Sequence, residues 1–168
     1  MLKTKFNHIG KLVKRFKDLN KASFSVGYYP ENGIHPSSLS FAGLYAIHAF
    51  GSETANIPPR DPLVDTFNMW EPLNSNKLLK KQLKLYFSNI KASTPRITVT
   101  TMLSKISGEY VQSVRAVFGD ESKLTPNAAF TNYLKERSNI KPHSPLLWST
   151  SLRDNLSYSV NGEAVVTP

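Results

Sequence analysis

Prolines set the first limit on what this chain can fold into. Residues 57–62 read Ile-Pro-Pro-Arg-Asp-Pro, and each proline there removes a backbone donor and restricts the residue before it. Residues 124–145 are interrupted again by Pro126, Pro142 and Pro145. We therefore expect separate helices joined by long proline-rich loops, with 57–62 extended at a sheet edge.

Between these breaks, apolar residues recur with helical spacing. The N-terminal 21 residues place one apolar row on a helix whose other faces carry lysines; the row is Leu2, Phe6, Ile9, Val13, Phe16 and Leu19. Similar spacing predicts helices over 63–70, 76–90, 103–117 and 128–137, and a break or short strand over 93–99. Thr100 or Thr101 is the expected N-cap of the third of these helices.

A further helix is expected over 41–50, where apolar residues occupy most sides. Ser38 or Ser40 is placed to cap its start, and Gly51 suits the left-handed position after its end. Because a helix that is apolar nearly all round has no face suited to water, we predict that this helix is buried.

Alternating residues predict three strands. Residues 23–29 begin with strict polar and apolar alternation, and 154–160 alternate as a half-buried strand does. Asn161-Gly162 then signals a tight hairpin into 163–167. The prediction is an α+β fold, a small antiparallel sheet packed against several helices. One domain of 1–168 is expected, with 1–21 as a basic amphipathic helix that is able to act as an arm and 22–168 as the body.

Several kinds of chemistry lack the residues they need. The chain has no cysteine, which excludes disulfides, thiolate metal sites and cysteine nucleophiles. The histidines, His8, His35, His48 and His143, are isolated from one another in sequence, so no helical zinc motif is present. Nucleotide-binding and hydrolase motifs are also missing. We predict no enzyme activity, catalytic residue, metal or cofactor, although a triad assembled only by the fold stays open.

Membrane association is not expected either. The longest apolar runs are short, as in residues 44–47, whereas a spanning helix needs about 20 apolar residues. No apolar segment of a secretory signal follows Met1. We expect a protein made and used inside the cell, or carried out as part of something larger.

Positive charge is confined to two segments. The net charge is +9, with +6 in residues 1–21, +6 in 77–96 and −3 in the remainder. Such stripes suit contact with DNA phosphates or with acidic partner surfaces, and they also occur on solvated helix faces. The candidate basic faces consist of Lys11, Lys14, Arg15, Lys77, Lys80, Lys81 and Lys84.

Two groups of short motifs, in order, resemble a known family. The first contains Val26-Gly27-Tyr28-Tyr29-Pro30, the helix that ends in Ala49-Phe50-Gly51, and Ile57-Pro58-Pro59-Arg60. The second contains Leu124-Thr125-Pro126, Lys135, Pro145-Leu146-Leu147 and Leu152-Arg153, followed by Leu156-Ser157-Tyr158-Ser159-Val160. Their succession is similar to the neck or tail-completion proteins of tailed bacteriophages, the virion morphogenesis family. In that pattern, Trp148-Ser149-Thr150 replaces an Asp-Thr-Gly turn, which suggests that Trp148 packs there.

The resemblance implies a non-enzymatic virion subunit, made in the host cytoplasm, that forms a homo-oligomeric ring at the head–tail junction. A hexamer or a dodecamer would join connector or adaptor proteins to the tail terminator or tube, with DNA in the channel. It implies subunit contacts through Phe50, Gly51, Pro58, Pro59, Arg60, Leu146, Leu147, Trp148 and Arg153. For Arg60 the expected partner is a neighbour's carboxylate, of the kind of Asp65 or Asp154, or else solvent.

Other functions fit the sequence as well. Within the same junction the chain could serve as tail terminator or head-side stopper, since all of these are small α+β ring proteins. A free nucleic-acid-binding protein would use the two basic stripes, although no base-reading motif accompanies them. An uncharacterised hydrolase is the third alternative.

Overall fold

The computed structural model describes residues 2–70, 76–88 and 96–165. This part of the chain holds seven α-helices and a three-stranded antiparallel sheet, which confirms the α+β class. The helices are α1 Leu2–Lys21, α2 Phe41–Phe50, α3 Pro62–Trp70, α4 Asn76–Phe87, α5 Val99–Arg115, α6 Ala129–Arg137 and α7 Ser151–Asp154; the strands are β1 Phe24–Gly27, β2 Ser157–Val160 and β3 Glu163–Val165. No described helix combines the length and apolar character of a membrane span.

Helix α5 is the centre of the core. Its buried residues include Val111 and Val114, both 0% exposed, and it contacts α3, α4, β1 and β2. Fully burying an aliphatic side chain contributes about 1.5–3 kcal/mol, so α5 stabilises both the neighbouring helices and the sheet. The expected caps Thr100 and Thr101 are wrong, because extended backbone ends at Thr98, whose hydroxyl accepts from the Thr101 N–H at 3.0 Å.

The sheet has the order β1-β2-β3. All residues of the central strand β2 are buried, so the half-buried prediction for this segment is wrong. One face of β2 packs on α5, and on the other the Asn32 amide donates to the Ser157 hydroxyl at 2.8 Å. The predicted turn is confirmed, since Asn161 and Gly162 have φ of 55° and 86°, values that a tight hairpin requires.

Helix α2 begins and ends as expected but is not buried. The Ser40 hydroxyl accepts from the Gly43 N–H at 3.0 Å, and Gly51 follows the last turn with φ of 74°. Only Phe41 is buried within the helix, and Phe50 is 84% exposed. The prediction of burial is wrong, because residues 43–49 are only half-buried on every side of the helix.

Helix α1 forms as predicted, but its apolar row is largely uncovered. Leu19 packs against the core, whereas Ile9, Val13 and Phe16 are 58%, 45% and 54% exposed. The side chains of the row's other members, Leu2 and Phe6, lie outside the described residues, as do residues 89–95 and 166–168 of the predicted elements. Much of the amphipathic face therefore has no cover within the described chain.

The Asp61 carboxylate lies directly before α3 and caps its start. Asp61 accepts from the Val64 N–H at 3.1 Å and from the Tyr45 hydroxyl at 2.5 Å. The hydroxyl in turn accepts from the Leu63 N–H at 3.2 Å. Asp61 thus caps α3 and, through the Tyr45 hydroxyl, links α3 to α2, so the carboxylate has a structural role.

Candidate interaction surface

Three segments that are distant in sequence form one open groove. Its walls are the loop after α2, the start of α6 and the loop before α7. Two depressions, of about 660 and 260 Å³, share the residues Asn56, Ile57, Pro58, Asn127 and Ala128. Phe50 lines the first depression and Trp148 lines the second, so we name this surface the Phe50–Trp148 groove.

The first wall is a loop closed on itself. Ser52 and Ile57 exchange backbone hydrogen bonds, each of 2.8 Å. A Cβ on Gly51 would lie 2.7 Å from the Ile57 carbonyl oxygen, so the chain can turn this closely only with glycine there. The predicted sheet edge at Pro58 and Pro59 is wrong: the bridge to Ile57 is isolated from the three-stranded sheet.

Arg60 joins the first wall to the second. Its side chain is 8% exposed, and Nε and Nη2 donate to the carbonyl oxygens of Thr125 and Pro126 at 2.6 and 2.7 Å. The expectation of a solvated guanidinium, or of one bound to a neighbour's carboxylate, is wrong. The reason is that main-chain carbonyls of the same chain already surround it.

Lys135 holds the third wall. It lies on α6, is 2% exposed, and donates from Nζ to the carbonyl oxygens of Ser144 and Leu147 at 2.5 and 2.8 Å. The loop that it holds includes His143 and Leu146 with φ of 53° and 62°, a region that residues other than glycine seldom adopt. The ammonium group therefore stabilises an unusual backbone path under the groove.

Burial perturbs the basic groups below the groove. It lowers the pKa of Lys135, as does the nearby charge of Arg60. Burial also lowers the pKa of Arg60. The pKa of His48 is lowered first by burial and then by Arg60, and the His48 Nδ1 atom is buried without a hydrogen-bond partner. His48 is therefore neutral at pH 7, and the positive charge beneath the groove comes from Arg60 and Lys135.

The groove brings together most of the residues that the family resemblance implied as subunit contacts. Those that line it are Phe50, Gly51, Pro58, Pro59, Arg60, Leu146, Leu147 and Trp148. Trp148 is 52% exposed and does not fill its own core, whereas Leu146 is 9% exposed and packs mainly in the core beneath the second depression. Arg153 lines neither depression and instead pairs with Asp154 at 2.8 Å. Subunit contacts through these residues stay predictions.

Two contributors to the groove were missed. The start of α6, including Asn127 and Ala128, lines both depressions, and Lys135 and His48 lie beneath the second. The sequence signal available for Lys135 was its place in the last turn of a helix before a proline-rich loop. Basic residues there can bind loop carbonyls.

The two basic segments adjoin one another. The Phe16 and Phe87 ring centroids are 4.8 Å apart, which packs α1 against the end of α4. Arg15 is wrongly assigned to the basic face: it is 5% exposed and its Nη1 donates to the carbonyls of Tyr86 and Ser88 at 3.0 and 3.1 Å. The exposed basic residues of the two helices include Lys14, Lys77, Lys80, Lys81 and Lys84, and Lys11 is half-buried.

Within residues 2–70, 76–88 and 96–165, no group of three or more His, Asp or Glu side chains is placed to hold a metal ion. No protein-family model, curated protein or solved structure matches the chain. The groove and the basic helices are thus the features from which a function has to be argued.

Proposed function

We propose that this protein is a non-enzymatic structural subunit of a tailed-phage virion. In this role it forms a homo-oligomeric ring at the head–tail junction and joins the connector to the tail terminator or tube. The ordered motifs support a place at the head–tail junction. The Phe50–Trp148 groove supports a role in binding other protein subunits. The terminator and stopper positions of the same junction are variants of this proposal.

The observation that carries the proposal is the exposure of large aromatic side chains at the groove. Phe50 is 84% exposed and Trp148 is 52% exposed; Phe50 belongs to a motif that carries the resemblance, and Trp148 directly follows one. Aromatic side chains dominate interface energetics, and a central one typically costs about 2 kcal/mol or more of binding when it is truncated. A free monomer gains nothing from holding them in water.

A ring requires two different complementary patches on each subunit, because its contacts are head-to-tail. The groove is one apolar surface, and the row of Ile9, Val13 and Phe16 on α1 is a second, distinct one. The first is concave and the second is the convex side of a helix. Two unlike apolar surfaces are what a subunit with a neighbour on each side needs.

The test is the oligomeric state of the purified chain, measured by analytical ultracentrifugation and negative-stain imaging. We expect rings, and we expect Phe50→Ser and Trp148→Ser to weaken association at least about 30-fold each, which corresponds to 2 kcal/mol. Phe130→Ser is the matched control, because Phe130 is 69% exposed but lines neither depression. A chain that stays monomeric at 100 µM and is absent from purified virions would refute the proposal.

Contact with DNA is the second candidate, favoured by the packing of α1 against α4. This packing joins two basic stripes into neighbouring surfaces, and clustered lysines neutralise phosphates in a strongly salt-dependent way. Reversing Lys80, Lys81 and Lys84 to glutamate separates the functions. Loss of duplex binding with rings intact favours a DNA-binding role, whereas loss of rings with DNA affinity unchanged favours contact with acidic subunits.

A further inference from the structure

The second depression of the groove combines apolar walls with buried positive charge. Ile57, Pro58 and Trp148 form part of its walls, and Arg60 and Lys135 lie beneath them. These cations are 8% and 2% exposed, and no aspartate or glutamate is among the residues that line this depression. It is therefore a partly apolar site in a positive field.

The hydrogen bonds of both cations leave their charge in place. Arg60 donates to the carbonyls of Thr125 and Pro126, and Lys135 donates to carbonyls of the 144–147 loop. Carbonyl oxygens solvate a cation but do not neutralise it. Among the described residues, the Glu121 carboxylate raises the pKa of Lys135, but it does not line the depression, and its Oε2 atom lies 3.3 Å from the His143 Nδ1 atom. The positive charge beneath the depression is therefore only partly compensated.

The start of α6 adds to this field. Ala128, at the N-cap, lines both depressions, and no side chain makes the capping hydrogen bond there. Uncapped N–H groups and the helix dipole make such an end positive. Two features, the buried cations without a carboxylate in the lining and the uncapped start of α6, thus favour a negatively charged group.

The shape and the apolar walls of the depression indicate which kind of molecule carries the negatively charged group. An inorganic anion would use the charge but leave the apolar walls of Ile57 and Trp148 in water. The second depression shares five lining residues with the first, so the two depressions adjoin one another. A carboxylate beside an apolar side chain on a polypeptide matches all of these properties.

We propose that the second depression binds an acidic side chain flanked by an apolar one, presented by a segment of a neighbouring protein in the assembly. The inference rests on the proposed function only for the presence of that neighbour. Its chemistry follows from the walls and charges of the groove alone.

The test uses a matched pair of peptides, Ac-Phe-Glu-Phe-NH2 and Ac-Phe-Gln-Phe-NH2, with the full chain in 20 mM salt. Binding is followed by NMR at the Trp148 indole N–H, assigned with Trp148→Phe. We expect the Glu peptide to bind about tenfold more tightly than the Gln peptide, because only the glutamate brings a negative charge into the positive field of Arg60 and Lys135. Equal affinities, no saturable shift, or tighter binding of inorganic phosphate than of the Glu peptide would overturn the proposal.

Variants of Arg60 or Lys135 risk unfolding, so the second arm changes Ala128. Ala128→Asp and Ala128→Asn both supply the missing cap of α6, but only the aspartate adds a carboxylate to the pocket. We expect Ala128→Asn to keep the preference for the Glu peptide and Ala128→Asp to reduce it below threefold. Equal effects of both variants would contradict a charge-based site. In a ring the peptide would compete with the neighbouring subunit for the groove, so binding is measured at concentrations where the chain is monomeric. A chain that never forms rings would defeat the proposed function and leave this result standing.

Discussion

Replacement of Arg15 by methionine is expected to lower the free energy of unfolding by about 2–4 kcal/mol. The guanidinium is 5% exposed and donates to the carbonyls of Tyr86 and Ser88 at 3.0 and 3.1 Å. Each hydrogen bond to a charged group contributes about 1.5–3 kcal/mol. Both would be lost, and carbonyls at the end of α4 would lose a donor.

Part of this loss is offset. The Arg15 Nη2 atom is buried without a hydrogen-bond partner, and its removal relieves a penalty of about 1–3 kcal/mol. Methionine retains the aliphatic stem, so packing between α1 and α4 changes little. For a chain of this length, 1 kcal/mol shifts the melting temperature by about 2–4 °C. The expected decrease is therefore about 5–15 °C.

The assay is urea denaturation followed by far-UV circular dichroism, with Lys14→Met as the matched control. Lys14 lies on the same helix, carries the same charge and is exposed, so its replacement should stay within about 0.5 kcal/mol of the parent. If the two variants unfold at the same urea concentration, Arg15 is a solvated member of a basic face, and its hydrogen bonds between α1 and the end of α4 do not contribute to stability.

Three further predictions concern the groove. Gly51→Ala should cost about 2 kcal/mol or more, because its Cβ would lie 2.7 Å from the Ile57 carbonyl oxygen, whereas Gly10→Ala, with open space, should stabilise α1 by about 0.5–1 kcal/mol; equal melting temperatures would contradict this. Lys135→Met should lower the unfolding free energy by about 1–3 kcal/mol through lost carbonyl contacts, and unchanged urea denaturation would show that they contribute nothing. Burial lowers the pKa of His48 in the folded chain, so the unfolded chain takes up a proton first as pH falls below 6.5, and the free energy of unfolding decreases. In His48→Asn this part of the decrease, measured by urea denaturation between pH 7.5 and 5.5, should vanish.

Local patterns in the sequence were sufficient for most of the elements, but α7 was not predicted, and Asp154, which was assigned to a strand, ends that helix. The periodic apolar residues of α1 and α5, the Ser40 cap of α2 and the Asn161-Gly162 turn each depend on near neighbours, so sequence spacing predicts them. The same holds for the class of fold. Boundaries were less secure, since Thr98 rather than Thr100 or Thr101 caps α5.

Burial was harder to predict, because it depends on what lies across from a face. Residues of α2 look like a core helix, yet Phe50 is 84% exposed. The serines of β2 look half-exposed, yet Ser157 is 0% exposed under the 28–32 turn. The placing of Phe50 and Trp148 in two adjoining depressions likewise depends on the tertiary structure. The family resemblance had implied only that each of them contacts another subunit.

Arg15, Arg60 and Lys135 share one kind of partner, the main-chain carbonyl. Every residue type carries that acceptor, so substitutions at the partner positions leave the acceptor in place. Such clamps would leave no covariation between positions in related sequences, and the cation alone would be constrained. Carbonyls also do not titrate, so the clamps persist in acid that would protonate the carboxylate of an ordinary ion pair. A chain held in this way tolerates both sequence drift in its loops and a fall in pH.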